Sequence, residues 1–374
     1  MKKRIVSLLC ALALVVSLAG CAISSTPASV GTIGETEISS GMYLLSQYQA
    51  YYAALEAAQK QEVKDGETMP DYQAMDTKDF LAETITVEEE ETKVSDFVAK
   101  QTLENLQYFA AVDAMFAEMN GELTAEQQDA ISMNAKSIWD GSADLYEKNG
   151  FGLATIEAYQ TTLYKADQLL RMIYDKDGTE EVSDSALKAH LGQDAWFLHT
   201  ATVPLFNPNN FQMLDENTTK IKAQCEAALE IYEEGRADSE DVYKLFRDTM
   251  YDRLPAAYLV TESTFTPEQA MATNLLDENA LEAYFSEESA KKLRALKPGD
   301  TLLLDDSGFA IEMYQMVDPD ETGEWDELRG NLLGTIYGPK LQERLVEKGA
   351  SLEVKLDDAA MQKLPASKIL VAVG

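Results

Sequence analysis

The sequence predicts an α+β protein in which a compact domain with a β-hairpin is set inside a larger, mostly helical chain. Three observations support this prediction. Residues 94–174 carry apolar side chains at helical spacings of three and four. From Trp196 the pattern changes to alternating, β-branched residues. The stretch from Leu296 to Val317 then has the pattern of a helix end, a Pro-Gly turn and two short strands, which predicts a hairpin at the edge of the compact domain.

The first 20 residues predict a secretory signal. Three cations at residues 2–4 precede an apolar run from Ile5 to Leu18, which ends in Leu-Ala-Gly-Cys at Cys21. This ending resembles the lipobox of bacterial lipoproteins. The resemblance implies lipidation of Cys21, a tether over residues 21–29 and anchorage on the extracytoplasmic face of the cell membrane. An uncleaved N-terminal anchor is the alternative, but the apolar run is short for a membrane span.

The charge of the chain limits its partners. Its 374 residues include 31 Lys and Arg against 65 Asp and Glu, which gives a formal net charge of −34. A nucleic-acid partner is not expected, because phosphate binding needs a basic surface. Flat adsorption to anionic lipid is disfavoured for the same reason. The acidity favours solubility and basic polypeptide partners.

Cysteine and histidine are sparse. Cys10 lies in the signal and Cys21 is the lipidation candidate, so Cys225 alone remains and no intramolecular disulfide is expected. Cys225 is interpreted as a small apolar residue on a helix face. With two His and no clustered ligand spacing we predict no metal site, and the chain carries no phosphate- or dinucleotide-binding motif, so no cofactor is predicted.

The first half of the chain is predicted to be largely helical. Ser39 and Ser40 are candidate caps for the first helix, and Thr124 with Gln127 forms a capping box. Turn residues and an acidic run make residues 62–93 a solvated connection. The predicted elements are a strand with a Gly turn at 30–38 and helices at 42–61, 94–119, 124–148, 153–174 and 183–191.

Tyrosines on the first helix admit two interpretations. Tyr43, Tyr48, Tyr51 and Tyr52 lie close together at helical spacing. Such a stripe is typical of a helix core face, and it also suits an adaptable surface that binds unfolded chains.

The second half mixes strands and helices. The predicted strands are 196–206, 257–260, 301–304, 309–317 and 351–356. The predicted helices are 218–234, 239–250, a turn from Thr266, 279–296 and 325–348.

The second half carries a family resemblance. The segment FLHTATV around His199, the helix before residues 296–300, and the turn DSGFAI at residues 306–311 resemble the first strand, last helix and closing hairpin of parvulin-type peptidyl-prolyl isomerase domains. The flanking segments at 30–39, 149–174 and 325–356 resemble PrsA- and SurA-type foldases. This implies a SurA-like helical chaperone domain at 30–192, completed by 321–374, with a parvulin-like α/β domain at 193–320.

The resemblance also implies a site. Rotation about an X-Pro bond breaks no covalent bond, so the family grips proline in an apolar slot above a small cluster of two His and an Asp or Cys. His199 matches the first His and Ser307 the Ser of the turn, whereas Ala310 stands where the second His belongs. Asp252 is a loose match to the Asp position, and Asp248 is an equal alternative.

The slot is implied at Leu281, Phe285 and Phe309. A hydrogen-bonded core histidine is the competing interpretation of His199.

These expectations describe a membrane-anchored extracytoplasmic folding factor that binds unfolded or exported polypeptides, as a monomer or a homodimer. Its isomerase activity is expected to be weak or lost, because the His pair is incomplete. A binding chaperone without catalysis and a solute-binding lipoprotein are the alternatives. The long helical run from Met42 to Tyr174 argues against the latter, because such proteins usually have two doubly wound α/β lobes.

Overall fold

The structure is a computed structural model that describes residues 27–61, 70–87 and 90–371. The predicted signal peptide and Cys21 lie outside these residues. The predicted tether at 21–29 is described only at its end, where Ser40 donates hydrogen bonds to the carbonyls of Pro27 and Ala28. Ser29 already begins the first strand.

The elements follow in chain order. The first are β1 (Ser29–Ile33), β2 (Thr36–Ser39), α1 (Ser40–Gln59), α2 (Thr77–Ala82), β3 (Thr84–Val87), β4 (Glu90–Lys93), α3 (Val94–Glu118), α4 (Ala125–Lys148) and α5 (Leu153–Tyr174). The middle elements are α6 (Asp184–Lys188), β5 (Ala195–Pro204), α7 (Thr218–Arg236), α8 (Val242–Val260), α9 (Pro267–Ala270), β6 (Met271–Asp277), α10 (Glu278–Tyr284), α11 (Glu287–Arg294), β7 (Thr301–Leu304) and β8 (Ala310–Met316). The last are α12 (Pro319–Thr322), α13 (Trp325–Ser351), β9 (Val354–Leu356), α14 (Asp358–Met361) and a 3₁₀ helix (Ala366–Lys368). Helices and antiparallel strands occur together, so the chain is an α+β protein.

The chain divides into two compact units. The first contains the described residues up to Leu169 and from Glu343 onward, and the second contains Leu170–Gln342. The divisions fall inside α5 and α13. The second unit extends beyond both ends of the predicted inserted domain at 193–320, whose boundaries stay a prediction.

The first unit brings the first two strands and β9, which are far apart in sequence, together in one sheet. Its strand order is β2-β1-β9 with antiparallel pairing. Gly31 has φ +125°, and a Cβ there would lie 2.2 Å from the carbonyl oxygen of Lys355. Only glycine therefore permits this approach of β1 to β9.

The helix starts of the first unit follow the predicted capping signals. The Ser39 side chain accepts a hydrogen bond from the N–H of Met42 at the start of α1. Thr124 and Gln127 form the predicted capping box of α4.

The prediction of a solvated connection at 62–93 was wrong for its described part. Helix α2 and the β3–β4 hairpin lie there, and Phe80 and Ile85 are fully buried beside Tyr51 of α1. The acidic side chains of β4 remain exposed. Two buried apolar residues attach this segment to α1. In so short a stretch two apolar residues do not form a periodic pattern, so the sequence did not predict this packing.

The second unit is organised around a four-stranded antiparallel sheet of order β6-β5-β8-β7. Alternate residues of β5 and β8 face opposite sides. One side, with Ala201, Val203 and Met313, packs against α7 and α8. The other, with Trp196, Leu198 and Tyr314, packs against residues of α10 and α11.

Two predicted elements of this unit were wrong, and one strand was not predicted. Residues 257–260 are the last turn of α8 and not a strand, because Leu254, Ala257 and Tyr258 are buried at helical spacing. The predicted helix at 279–296 is two helices, since Ser286 caps α11 with its side chain. Strand β6 was not predicted; it is a half-exposed edge strand whose composition alternates weakly.

The hairpin of residues 301–317 was predicted correctly. It is formed by β7 and β8, and Gly299 and Gly308 take positive φ in the turns before and within it. The Ser307 hydroxyl accepts hydrogen bonds from the N–H groups of Phe309 and Ala310.

Candidate functional site

His199 lies in the middle of β5 and is 3% exposed. Its Nε2 lies 3.1 Å from Oε2 of Glu324, and its ring meets the ring of Tyr243 edge-on at 6.4 Å. Burial lowers the pKa of His199 below its ordinary value of 6.5, although Glu324 acts to raise it. The imidazole is therefore neutral at pH 7.

Gln315 is the residue opposite His199 on β8. Its Nε2 donates hydrogen bonds to the Tyr232 hydroxyl and to the Val242 carbonyl. Within the described residues, Nδ1 of His199 and Oε1 of Gln315 have no hydrogen bond of ordinary geometry. The nearby Gln315 side chain acts, like Glu324, to raise the pKa of His199. His199 thus belongs to a buried polar cluster between the sheet and α8, as expected of a core histidine.

The structure does not bring the other proposed catalytic residues to His199. Ala310 lies opposite Pro204, five positions along β5 from His199, a separation on the order of 16 Å at about 3.3 Å per residue. Ser307 lies in the turn beyond Ala310.

The two candidates for the Asp position lie on the exposed surface of α8. Asp252 is paired with Arg253 at 3.0 Å, and Asp248 is paired with Lys244. The catalytic roles of His199, Asp252 and Ser307 stay predictions that these distances do not support.

The predicted slot residues are also separated. Leu281 is fully buried and Phe285 packs against the ring of Tyr314, in the core on the sheet side away from His199. Phe309 is 63% exposed. The described residues therefore form no proline slot from this set.

A different feature, in the first unit, has the properties of a binding site. It is a cleft of about 430 Å³ between α1, α3 and the C-terminal segment, which we call the β9 cleft. Its lining is formed by Tyr43, Gln47, Ser95, Val98, Ala99, Thr102, Leu103, Leu106, Val354, Leu356, Asp358, Met361 and Ala366.

One lining residue carries an unused hydrogen-bond acceptor. Gln47 is 6% exposed, and its Nε2 donates to the Tyr43 hydroxyl at 3.0 Å. Its Oε1 has no donor among the described residues. An unsatisfied buried acceptor costs about 1–3 kcal/mol. This oxygen is closed to solvent, so a ligand in the cleft would reach it only after the Gln47 side chain moves.

The cleft has little charge. Among the described residues, Asp358 is the one charged residue of the lining, and the lining contains no Lys or Arg. The other lining residues are mostly apolar, so the cleft suits an apolar ligand with positive charge.

The predictions located this site only in part. Tyr51 is fully buried in the core, as one interpretation of the tyrosine stripe expected, whereas Tyr43 lines the cleft. The opposite wall, from Val354 to Ala366, comes from the far end of the chain. The apolar residues Val354, Leu356 and Met361 could have indicated an apolar surface in this segment. The sequence does not show that this segment packs beside α3.

Cys225 is fully buried in the α7 core, as predicted. Burial raises the pKa of its thiol to about 12, so it is chemically inert in the folded chain. The described residues contain no group of three or more His, Cys, Asp or Glu that could hold a metal ion. Within residues 27–61, 70–87 and 90–371, no helix is both long and apolar enough to span a membrane.

Comparison with known proteins finds similarity to solved structures. No family model matches the chain, and no curated protein matches it. The foldase protein PrsA from Streptococcus pneumoniae strain Canada MDR_19A is 15% identical, and the alignment covers 77% of this chain and 100% of that chain with a TM-score of 0.34. A likeness at this TM-score leaves function to be argued from the chain's own residues.

Proposed function

We propose that this chain is an extracytoplasmic folding factor, anchored to the membrane by lipid on Cys21, that binds unfolded or exported polypeptides in the β9 cleft. The observation that carries the proposal is the largely apolar lining of the β9 cleft, in which Asp358 is the one charged residue among those the structure describes. Unfolded chains expose apolar side chains, which can pack against this lining. They also expose free main-chain N–H groups.

The lining suits a polypeptide ligand. Eight of the thirteen lining residues are apolar, and they include side chains of adaptable shape such as Leu103 and Met361. The polar lining residues are Tyr43, Gln47, Ser95, Thr102 and the exposed Asp358.

The solute-binding alternative has less support. Such proteins usually contain two doubly wound lobes with parallel strands. All strand pairs of the three sheets in the described part of the chain are antiparallel.

Prolyl isomerisation is not part of the proposal. His199, Ser307 and Leu281 lie in three different places of the second unit. Binding and release of unfolded chains need no catalytic group.

The proposal is tested by binding of a fluorescent, permanently unfolded polypeptide. Val354 is 39% exposed and lines the cleft, whereas Val346 on α13 is 56% exposed and does not line it. Val354→Glu is expected to weaken binding at least about tenfold, and the matched control Val346→Glu to leave it unchanged. Equal binding by both variants, or no binding by the unmodified chain, would overturn the proposal.

A further inference from the structure

The β9 strand has a free edge. It is the terminal strand of the order β2-β1-β9, and no strand in the described ranges pairs with its outer side. The N–H of Gly34 donates to the Glu353 carbonyl and the N–H of Asp357 donates to the Val30 carbonyl. Because the bonding side alternates along an antiparallel strand, Glu353 and Asp357 bond toward β1, whereas the main-chain groups of Val354 and Leu356 point outward.

The free edge borders the cleft. Val354 and Leu356, whose main-chain groups point outward, are also the two residues of β9 that line the β9 cleft. An extended segment beside β9 would therefore place alternate side chains toward the apolar wall of α3, which includes Val98 and Leu103.

The negative charge of the cleft indicates which kind of polypeptide segment would bind beside β9. Asp358 lies two residues after β9 and lines the cleft, whose lining contains no Lys or Arg within the described part of the chain. The whole chain carries a net charge of −34. A segment with Lys or Arg beside its apolar residues is therefore favoured, and an acidic segment is repelled.

We infer that the β9 cleft binds an extended, basic and apolar polypeptide segment by strand addition, with the segment pairing to the outer edge of β9. Val354 and Leu356 each offer one N–H and one C=O to the added strand. This inference rests on the proposed function and specifies how the cleft holds its ligand.

Backbone methylation of the ligand tests the inference. In a strand, alternate N–H groups face the same side, so N-methyl groups at odd or at even positions block opposite edges. The probe is a labelled nonapeptide with valines at alternate positions and one terminal Lys, titrated into the full-length chain. One methylated series is expected to lose binding at least tenfold, and the other to stay within about threefold of the unmodified peptide.

The outcomes separate the inference from the proposed function. If both methylated series bind like the unmodified peptide, the cleft holds polypeptides without strand addition and only the inference fails. If the unmodified peptide and unfolded proteins all fail to bind, the proposed function fails as well.

A protein variant gives an independent result. Val354→Pro removes the outward N–H while the ladder to β1 stays intact, and Val354→Ala keeps the N–H with a smaller side chain. The Pro variant is expected to bind the probe at least about fivefold more weakly than the Ala variant. Equal affinities would overturn the inference. So would a dimer in sedimentation velocity that Val354→Pro dissolves, because a second copy would then occupy the edge.

Discussion

His199 lies directly opposite Gln315 in the β5–β8 ladder, and both side chains are buried. This register fixes which residues surround the imidazole. It places Ala310, the position that the resemblance matched to a second histidine, opposite Pro204 instead. The buried cluster of the second unit is therefore better explained by stability than by catalysis.

We predict that the chain does not accelerate prolyl isomerisation. The uncatalysed barrier is about 20 kcal/mol, and the described residues form neither the His cluster nor the slot that would lower it. A protease-free assay on an Ala-Pro tetrapeptide should give the uncatalysed rate for the unmodified chain and for His199→Ala alike. A faster rate that His199→Ala abolishes would restore the catalytic interpretation.

His199 should make stability depend on pH. Its folded pKa lies below 6.5, so the unfolded state binds more protons once the pH falls below about 6.5. Stability is then complete above that pH and is lost as the pH falls toward the folded pKa. The Tm of the unmodified chain should fall more between pH 7 and pH 5 than the Tm of His199→Gln. Parallel Tm curves would show that His199 does not titrate differently in the two states.

Local signals made part of the fold predictable. The Ser39 and Thr124 caps and the turn at Gly308 act within a few residues, and all three elements appear where they were expected. Strand β6 was not predicted because it is a half-exposed edge strand, and its sequence lacks the clear apolar and polar alternation by which a strand is recognised.

The sites depended on distant parts of the chain. The register of β5 against β8 cannot be inferred from either strand alone, yet it decides the neighbours of His199. The β9 cleft requires Val354 and Met361 to meet α3, a contact between segments about 250 residues apart in sequence.

Gly31→Ala should strongly destabilise the first unit. The added Cβ would collide with the Lys355 carbonyl at a positive φ, so β1 and β9 would separate. We expect a loss above about 2 kcal/mol in urea unfolding. Gly141→Ala is the control, because a Cβ there meets nothing within 4 Å and alanine favours the helix. Equal stabilities of the two variants would contradict the close approach at Gly31.

Cys225 should resist alkylation. Its thiol is fully buried and its pKa is raised to about 12, so almost no thiolate forms at pH 8. A maleimide reagent should label this position only after denaturation, as peptide mass spectrometry can measure. Rapid labelling of Cys225 in the folded chain would show that the α7 core opens.

Photocrosslinking tests the central claim most directly. A photoreactive amino acid at Met361 would lie in the β9 cleft, and one at Val346 would lie on the exposed surface of α13. Both variants are irradiated with a denatured protein and with the same protein in its native state. We predict crosslinks from position 361 to the denatured protein alone, competed by excess unlabelled unfolded chain, and none above background from position 346. Equal crosslinking from both positions, or none from position 361, would contradict binding of unfolded polypeptides in the β9 cleft.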